Sequence, residues 1–216
     1  MSAQRKFEAE TINEAEFFQM AEKSVVRLEY IDGFVRGIDN YADGDTRAMA
    51  GGQPRHAILS TRFATTINNR LGQDSPCEAA VADVFVKAAN NNARYLPDVV
   101  VFCEDAEFDP QRSNVLLSPL VIIEVLSAST SRIDRTEKLD AYRSVETLRH
   151  YLLVEQNQVR IEHYRRTPDG WHYEVYLWRR EEIPFADLGI EVAVAEIYRR
   201  LDVPEGFVLI GEEDAA

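Results

Sequence analysis

The sequence predicts a mixed α/β fold, a central β-sheet flanked by helices with additional antiparallel hairpins, on three observations. Apolar runs of strand length alternate with helical segments in the order helix, strands, helix, strands, helix, strands. One run, "SPLVIIEVLS" (118–127), is apolar on successive residues, as expected of a strand buried on both faces. Turn signals at Asp32-Gly33 and in "TPDG" (167–170) mark hairpins.

Taken in order, "TINEAEFFQMAEKS" reads as a short helix with Asn13 as N-cap and Glu16 completing a capping box. "VVRLEYIDGFVRGI" reads as two strands around Asp32-Gly33, and "ADGDTRAMAGGQP" as a loop. A helix is expected from Arg55 to Leu71, with Leu59, Phe63 and Ile67 spaced four apart and Gly72 beyond its end. "CEAAVADVFVKA" and "ARYLPDVVVFCE" are expected to be strands separated by an Asn-rich turn, and 104–114 a polar loop. After the buried strand, Asp134 with Glu137 three residues on suggests a second capping box opening the helix "RTEKLDAYRSVETL". "HYLLVEQ" and "QVRIEHYRR" then form a hairpin, "WHYEVYLW" an alternating strand, and "FADLGIEVAVAEIYRRLDV" carries a short helix. The expected organisation is a flexible 1–12, one domain over 13–203 and an acidic tail over 204–216.

Composition narrows the function. With 45% apolar and 28% charged residues the chain can bury a core, and no apolar stretch approaches a bilayer span. "MSAQRKFEAE" lacks the apolar segment of a secretory signal, and a cytoplasmic location is expected. Cys77 and Cys103 lack metal-type spacing, so they read as buried free thiols in a reducing compartment, and zinc is not expected. The 24 basic against 37 acidic residues give a net charge of −13, which opposes a broad electrostatic grip on nucleic acid. There is no phosphate-binding glycine loop and no serine nucleophile elbow, and the two aspartates of "ADGDTR" lack the further ligands of a calcium loop.

The chemistry concentrates at Asp98 in "YLPDVVVF", Glu124 in "VIIEVLS" and Lys138 in "DRTEKLDAY". A lone carboxylate within an apolar strand costs several kcal/mol unless a cation meets it. Were the strands of Asp98 and Glu124 neighbours, both acids would converge on one sheet edge. Paired carboxylates of this kind suit Mg²⁺. Strand alternation sets Ile122, Glu124 and Leu126 on one face and Val121, Ile123 and Val125 on the other. Leu126 therefore sits where a lysine would project beside Glu124, and Lys138 on the following helix is placed to reach back. Tyr142, one helical turn on, shares its face and reads chiefly as a packing residue.

"MAGGQPRH", "PDVVVFCE", "VIIEVLSAST" and "DRTEKLDAYRSVETLRHYLLVE" together resemble the Uma-type "putative restriction endonuclease" family of the PD-(D/E)XK nuclease superfamily, from about Asn13 to Asp202. The resemblance implies a restriction-endonuclease-like core and Mg²⁺- or Mn²⁺-dependent hydrolysis of DNA phosphodiesters. It makes Asp98 and Glu124 the motif acids and metal ligands, with the carbonyl of Val125 as a further ligand. Lys138 becomes the migrated lysine, Glu29 an acid from an N-terminal element, and His56 the histidine that follows the glycine-rich loop. Asp83 in "VADVFV" is expected to approach Asp98 from an adjacent strand. The alternative is a nuclease-like module that binds nucleic acid or protein without cutting. A third class, a self-associating protein, follows from the aromatic strand "WHYEVYLW", and a homodimer is expected. The pairs Arg165-Arg166, Arg179-Arg180 and Arg199-Arg200 read as solvated element ends rather than a nucleic-acid track.

Overall fold

A computed structural model describes residues 11–38, 54–81, 83–88, 90–128 and 130–207. Most of the loop expected over 42–54, and the termini 1–10 and 208–216, lie outside the described residues. The elements in chain order are α1 (Glu14–Ala21), β1 (Leu28–Ile31), β2 (Phe34–Gly37), α2 (Pro54–Leu71), β3 (Cys77–Val81), β4 (Phe85–Ala88), β5 (Ala93–Tyr95), β6 (Val99–Cys103), β7 (Phe108–Asp109), β8 (Arg112–Leu116) and β9 (Val121–Val125). There follow α3 (Ser131–Ile133), a π-helical turn (Asp134–Lys138), α4 (Leu139–Arg143), β10 (His150–Val154), β11 (Ile161–Thr167), β12 (Gly170–Tyr176), β13 (Glu182–Phe185), β14 (Ile190–Ala193) and α5 (Val194–Ile197).

Two mixed six-stranded sheets form where one central sheet was expected. The first has the order β2-β1-β5-β4-β8-β7 and the second β12-β11-β10-β9-β6-β3, with β13-β14 as a separate hairpin. The apolar runs "CEAAVADVFVKA" and "ARYLPDVVVFCE" are therefore not single strands. Each contributes one strand to each sheet, breaking at Asp83 in the first run and around Pro97 in the second. Asp83 has φ +61, a left-handed conformation that ends strand pairing. The polar region 104–114 holds β7 and the start of β8, an irregular antiparallel pair rather than a loop.

Three apolar layers hold these parts together. Leu59, Phe63 and Ile67 of α2 pack with Val121, Ile123 and Val125 on one face of the second sheet. Ile122 and Leu126 face the other way, into a core shared by Tyr142 of α4 and Val86, Ala88, Tyr95 and Leu116 of the first sheet. Phe17 and Phe18 of α1 cover the far face of the first sheet with Leu28, Tyr30 and Phe85. β9 is thus buried along its whole length, as its apolar run requires.

The Asn13 capping box forms, with Asn13 Oδ1 accepting from the Glu16 N–H at 3.0 Å and Glu16 Oε2 accepting from the Asn13 N–H at 2.9 Å. Asp32 and Gly33 adopt φ +46 and +93, the doubly positive pattern of a tight hairpin turn. The capping box expected at Asp134 does not form. The helix begins at Ser131, and Asp134 is buried inside it on a π-helical turn. Cys77 and Cys103 are half-buried and disulfide-bonded rather than buried free thiols, because β3 and β6 pair antiparallel with these residues directly opposite. That removes the argument for a reducing compartment that rested on free thiols. Among the described residues no helix is long and apolar enough to cross a membrane.

Candidate active site

Strand alternation places the acids. In β9, Glu124 shares its face with Ile122 and Leu126 and points between the two sheets. β6 runs antiparallel to β9 with Val99 opposite Ile123. One residue further in this register, Asp98 stands beside Glu124, and its Oδ2 accepts the Val125 N–H at 2.8 Å. In β1, Leu28 and Tyr30 pack against α1, so Glu29 between them faces inward toward the same space.

Lys138 joins these strands. Its Nζ lies 2.9 Å from Glu124 Oε1, 2.9 Å from Glu29 Oε1 and 3.3 Å from Asp134 Oδ1. Tyr142 donates its hydroxyl to Glu124 Oε1 at 3.2 Å. Glu29, Asp98, Glu124, Asp134 and Lys138 are all buried. Burial alone would lower the Lys138 ammonium, but the carboxylates of Glu124, Glu29 and Asp134 hold it well above its ordinary value. Burial raises Glu124 well above the usual carboxylate range; Lys138 opposes this, while Asp134, Asp98 and Glu29 add to it. Asp98 behaves oppositely. Burial would raise it, but His56, the Val125 N–H and Arg27 outweigh burial and keep it below the ordinary range.

His56 sits in the first turn of α2 with Nε2 3.1 Å from Asp98 Oδ2, and Arg27 reaches Asp98 Oδ1 at 3.6 Å. The structure thus brings together Asp98, Glu124, Lys138, His56, Glu29, Tyr142 and the Val125 backbone. Asp83 is not among them: it is exposed in the turn between the two sheets, because the run that carries it splits there.

A second ring of residues escaped the sequence reading. Arg36 Nη2 lies 2.7 Å from Glu29 Oε2, and its Nη1 is 3.1 Å from Glu137 Oε1, which also accepts the Tyr95 hydroxyl at 2.9 Å. Arg36 was accessible from the hairpin alone. A two-residue turn at Asp32-Gly33 fixes Glu29 opposite Arg36, the register observed. Asp134 had no such signal, since its spacing to Glu137 imitates a cap.

Carboxylate oxygens are hard donors, the type that divalent cations such as Mg²⁺ take. Three buried carboxylates, Glu29, Glu124 and Asp134, close on the buried Lys138 ammonium, Asp98 stands beside Glu124, and the partly buried Arg36, Arg27 and His56 side chains contact the acids from the edge. Among the described residues no group of three or more His, Cys, Asp or Glu is arranged to hold a metal by itself. Such an ion would have to complete its shell with water or substrate oxygens, which is how Mg²⁺ is usually held.

The arginine pairs mostly do structural work. Arg166 donates to the carbonyls of Leu148, Arg143 and Val145 at 2.7, 2.9 and 2.8 Å, closing the chain after α4. Arg179 donates to the carbonyls of Leu201 and Val203. Arg180, Arg199 and Arg200 are exposed, in the manner expected of solvated element ends.

Comparison with known proteins agrees with this architecture. "Uncharacterized protein slr1290" of Synechocystis sp. (strain ATCC 27184 / PCC 6803 / Kazusa) is 32% identical over 161 residues, covering 74% of this chain and 83% of that protein. "Uncharacterized protein sll1609" of the same organism is 28% identical over 177 residues, covering 82% of this chain and 93% of its own. The fold is similar to the crystal structure of "a putative nuclease belonging to DUF820" from Anabaena variabilis ATCC 29413. The TM-score is 0.67 at 16% identity, over 87% of this chain and 97% of that one. Residues 40–195, which span α2, both motif strands and the Lys138 helix, match the family described as "Uma2: Putative restriction endonuclease", and the chain belongs to that family.

Proposed function

We propose that the chain is a Mg²⁺- or Mn²⁺-dependent endonuclease that hydrolyses DNA phosphodiesters, with a restriction-endonuclease-like core and a PD-(D/E)XK-type site whose lysine has moved to the helix after β9. One observation carries the reading: Asp98 and Glu124 come from neighbouring strands into one buried, carboxylate-rich space, with the Lys138 ammonium on Glu124. Family membership supports the same chemistry.

Asp98 and Glu124 would hold the ion, with the Val125 carbonyl as a further donor. A divalent ion held there would polarise a phosphoryl oxygen and lower the pKa of a bound water. Lys138 is held as an ammonium, so it is suited to orient water and neutralise charge developing on the phosphoryl oxygens rather than to remove a proton. Its contacts with Glu124, Glu29 and Asp134 fix its position. Tyr142 orients Glu124, and His56 orients Asp98 while standing close enough to assist phosphate binding or proton transfer.

A calorimetric titration with Mn²⁺ tests the site. Wild type should bind the ion, and Asp98→Asn should weaken binding by roughly tenfold or more. Metal-replete Glu124→Gln should fail to cleave DNA. Cleavage that persists in Glu124→Gln removes the proposal. The rival reading is a nuclease-like module that binds without cutting. The net charge of −13 and the enclosure of Lys138 by three acids favour it. Absence of Mn²⁺ binding in wild type would support this rival.

A further inference from the structure

The two sheets have four outer strands, and three of them are protected. β3 is covered by the Asn68 side chain, whose Nδ2 donates to the Ala79 carbonyl at 2.9 Å while its Oδ1 accepts the Ala79 N–H at 2.7 Å. β7 has two residues and an irregular register, and β2 has four residues. Short, irregular or capped edges do not offer a template for another strand. β12 differs from all three. Its seven residues, "GWHYEVY", contain no Lys and no Pro, and the pairing with β11 runs without a bulge from Ile161↔Tyr176 to Thr167↔Gly170. Among the described residues no strand lies beyond it.

The ladder shows which groups point outward. The Arg166 N–H donates to the Arg149 carbonyl at 2.8 Å, and the Arg160 carbonyl accepts the Glu155 N–H at 3.0 Å. The even-numbered residues of β11 therefore bond toward β10 and the odd-numbered ones toward β12. His163 stands opposite Glu174 and Arg165 opposite His172, so the even-numbered residues of β12 are committed to β11. Trp171, Tyr173 and Val175 then direct their N–H and C=O groups away from the sheet. Just past the strand, the next outward carbonyl, that of Leu177, is already taken by the Gly206 N–H at 2.7 Å.

We infer that β12 pairs antiparallel with β12 of a second copy of this chain about a two-fold axis at Tyr173, joining the two second sheets into one. The sequence of the strand is complementary to itself in that register. His172 meets Glu174 of the copy, a donor opposite a carboxylate. Trp171 meets Val175 of the copy, and Tyr173 meets its own equivalent, both favourable cross-strand pairs. The outward N–H and C=O of Trp171 and Tyr173 face those of Val175 and Tyr173, so each pair exchanges two backbone bonds. An isologous contact of this kind closes on itself. The inference is independent of the nuclease reading.

Sedimentation equilibrium on the full chain tests it, with two variants that leave the β11 ladder intact. Tyr173→Pro removes an outward N–H together with the ring's contacts to Tyr164 and Glu162, and Tyr173→Lys removes the same ring contacts and puts two like charges on the axis at a position 46% exposed. Wild type should sediment at twice the chain mass at about 10 μM, a concentration matched to a modest interface. Either variant should sediment as a monomer with an unchanged circular-dichroism spectrum. A wild type that stays monomeric at that concentration, or a dimer that survives in a folded variant, overturns the inference.

Discussion

Lys138→Met is expected to destabilise the protein by about 3–5 kcal/mol at pH 7, the cost of leaving buried charges without their partner. Lys138 is the ammonium on which Glu124, Glu29 and Asp134 converge, all within 3.3 Å. Methionine preserves most of the side-chain volume, so the loss reports charge rather than a cavity. The exposed ion pairs on the surface, such as the Arg70 guanidinium with Glu196, should matter far less, because solvent screens them. The sign of the pH response follows from the same geometry. Glu124 lies above its ordinary range when folded, and removing Lys138 takes away the main influence holding it down. A carboxylate raised in the folded state binds more protons there than when unfolded, so the variant should regain stability as pH falls through the folded value. Urea titrations at pH 7 and pH 5 should show the deficit shrinking. Adding Glu124→Gln should recover part of it, a coupling that a double-mutant cycle reads directly. A deficit under about 1 kcal/mol at pH 7 would mean that the carboxylates relax into solvent without Lys138.

The residues that were legible in the sequence are those whose placement depends on local periodicity. The parity of β9 fixed which side of the strand Glu124 faces, and the two cores divide along that parity. The cap at Asn13 and the tight turn at Asp32-Gly33 are local as well, and they form. What failed depends on information that an apolar run does not contain. "ARYLPDVVVFCE" reads as one strand, yet Tyr95 lies in one sheet and Val99 in the other, with the break around Pro97, since each half finds separate partners. Asp98 is consequently at the crossing between sheets, which is also why it can meet an acid from another strand. Asp134 was hidden by a spacing that means a cap in an α-helix but here falls on a π-helical turn, a form common where a helix is bent to serve a site. Cys77 and Cys103 could be paired only with the β3–β6 register in hand.

The other large effect lies away from the acids, in a buried pair of histidines. His150 on β10 and His163 on β11 are 0% and 1% exposed, with Nδ1 of the first 2.9 Å from Nε2 of the second. His150 Nε2 lies 3.1 Å from Asp187 Oδ2. The partners imply one tautomer for each ring: His150 donates from Nε2 to Asp187 and accepts at Nδ1 from the Nε2–H of His163. Among the described residues the buried His163 Nδ1 then has no partner, so a proton added there would have nothing to bond. Burial lowers His150 to about 4 despite Asp187, and burial together with His150, Arg165 and His172 lowers His163 to about 3. Both rings are neutral in the fold and charge in the unfolded chain once the pH drops below about 6.5. Their contribution to stability is therefore complete above that pH and is lost as pH falls toward 4 and then 3. Between about pH 6 and 5 the two rings together should contribute a slope approaching ~2.7 kcal/mol per pH unit, ~1.36 for each. Raised carboxylates such as Glu124 and Asp134 act in the opposite sense, so the histidine share is isolated by difference. Urea unfolding of wild type and His163→Phe from pH 7.5 to 5 should give a pH slope lower by about half the histidine total in the variant. Equal slopes would show that the rings charge within the fold without cost, and the buried relay would then carry no acid sensitivity.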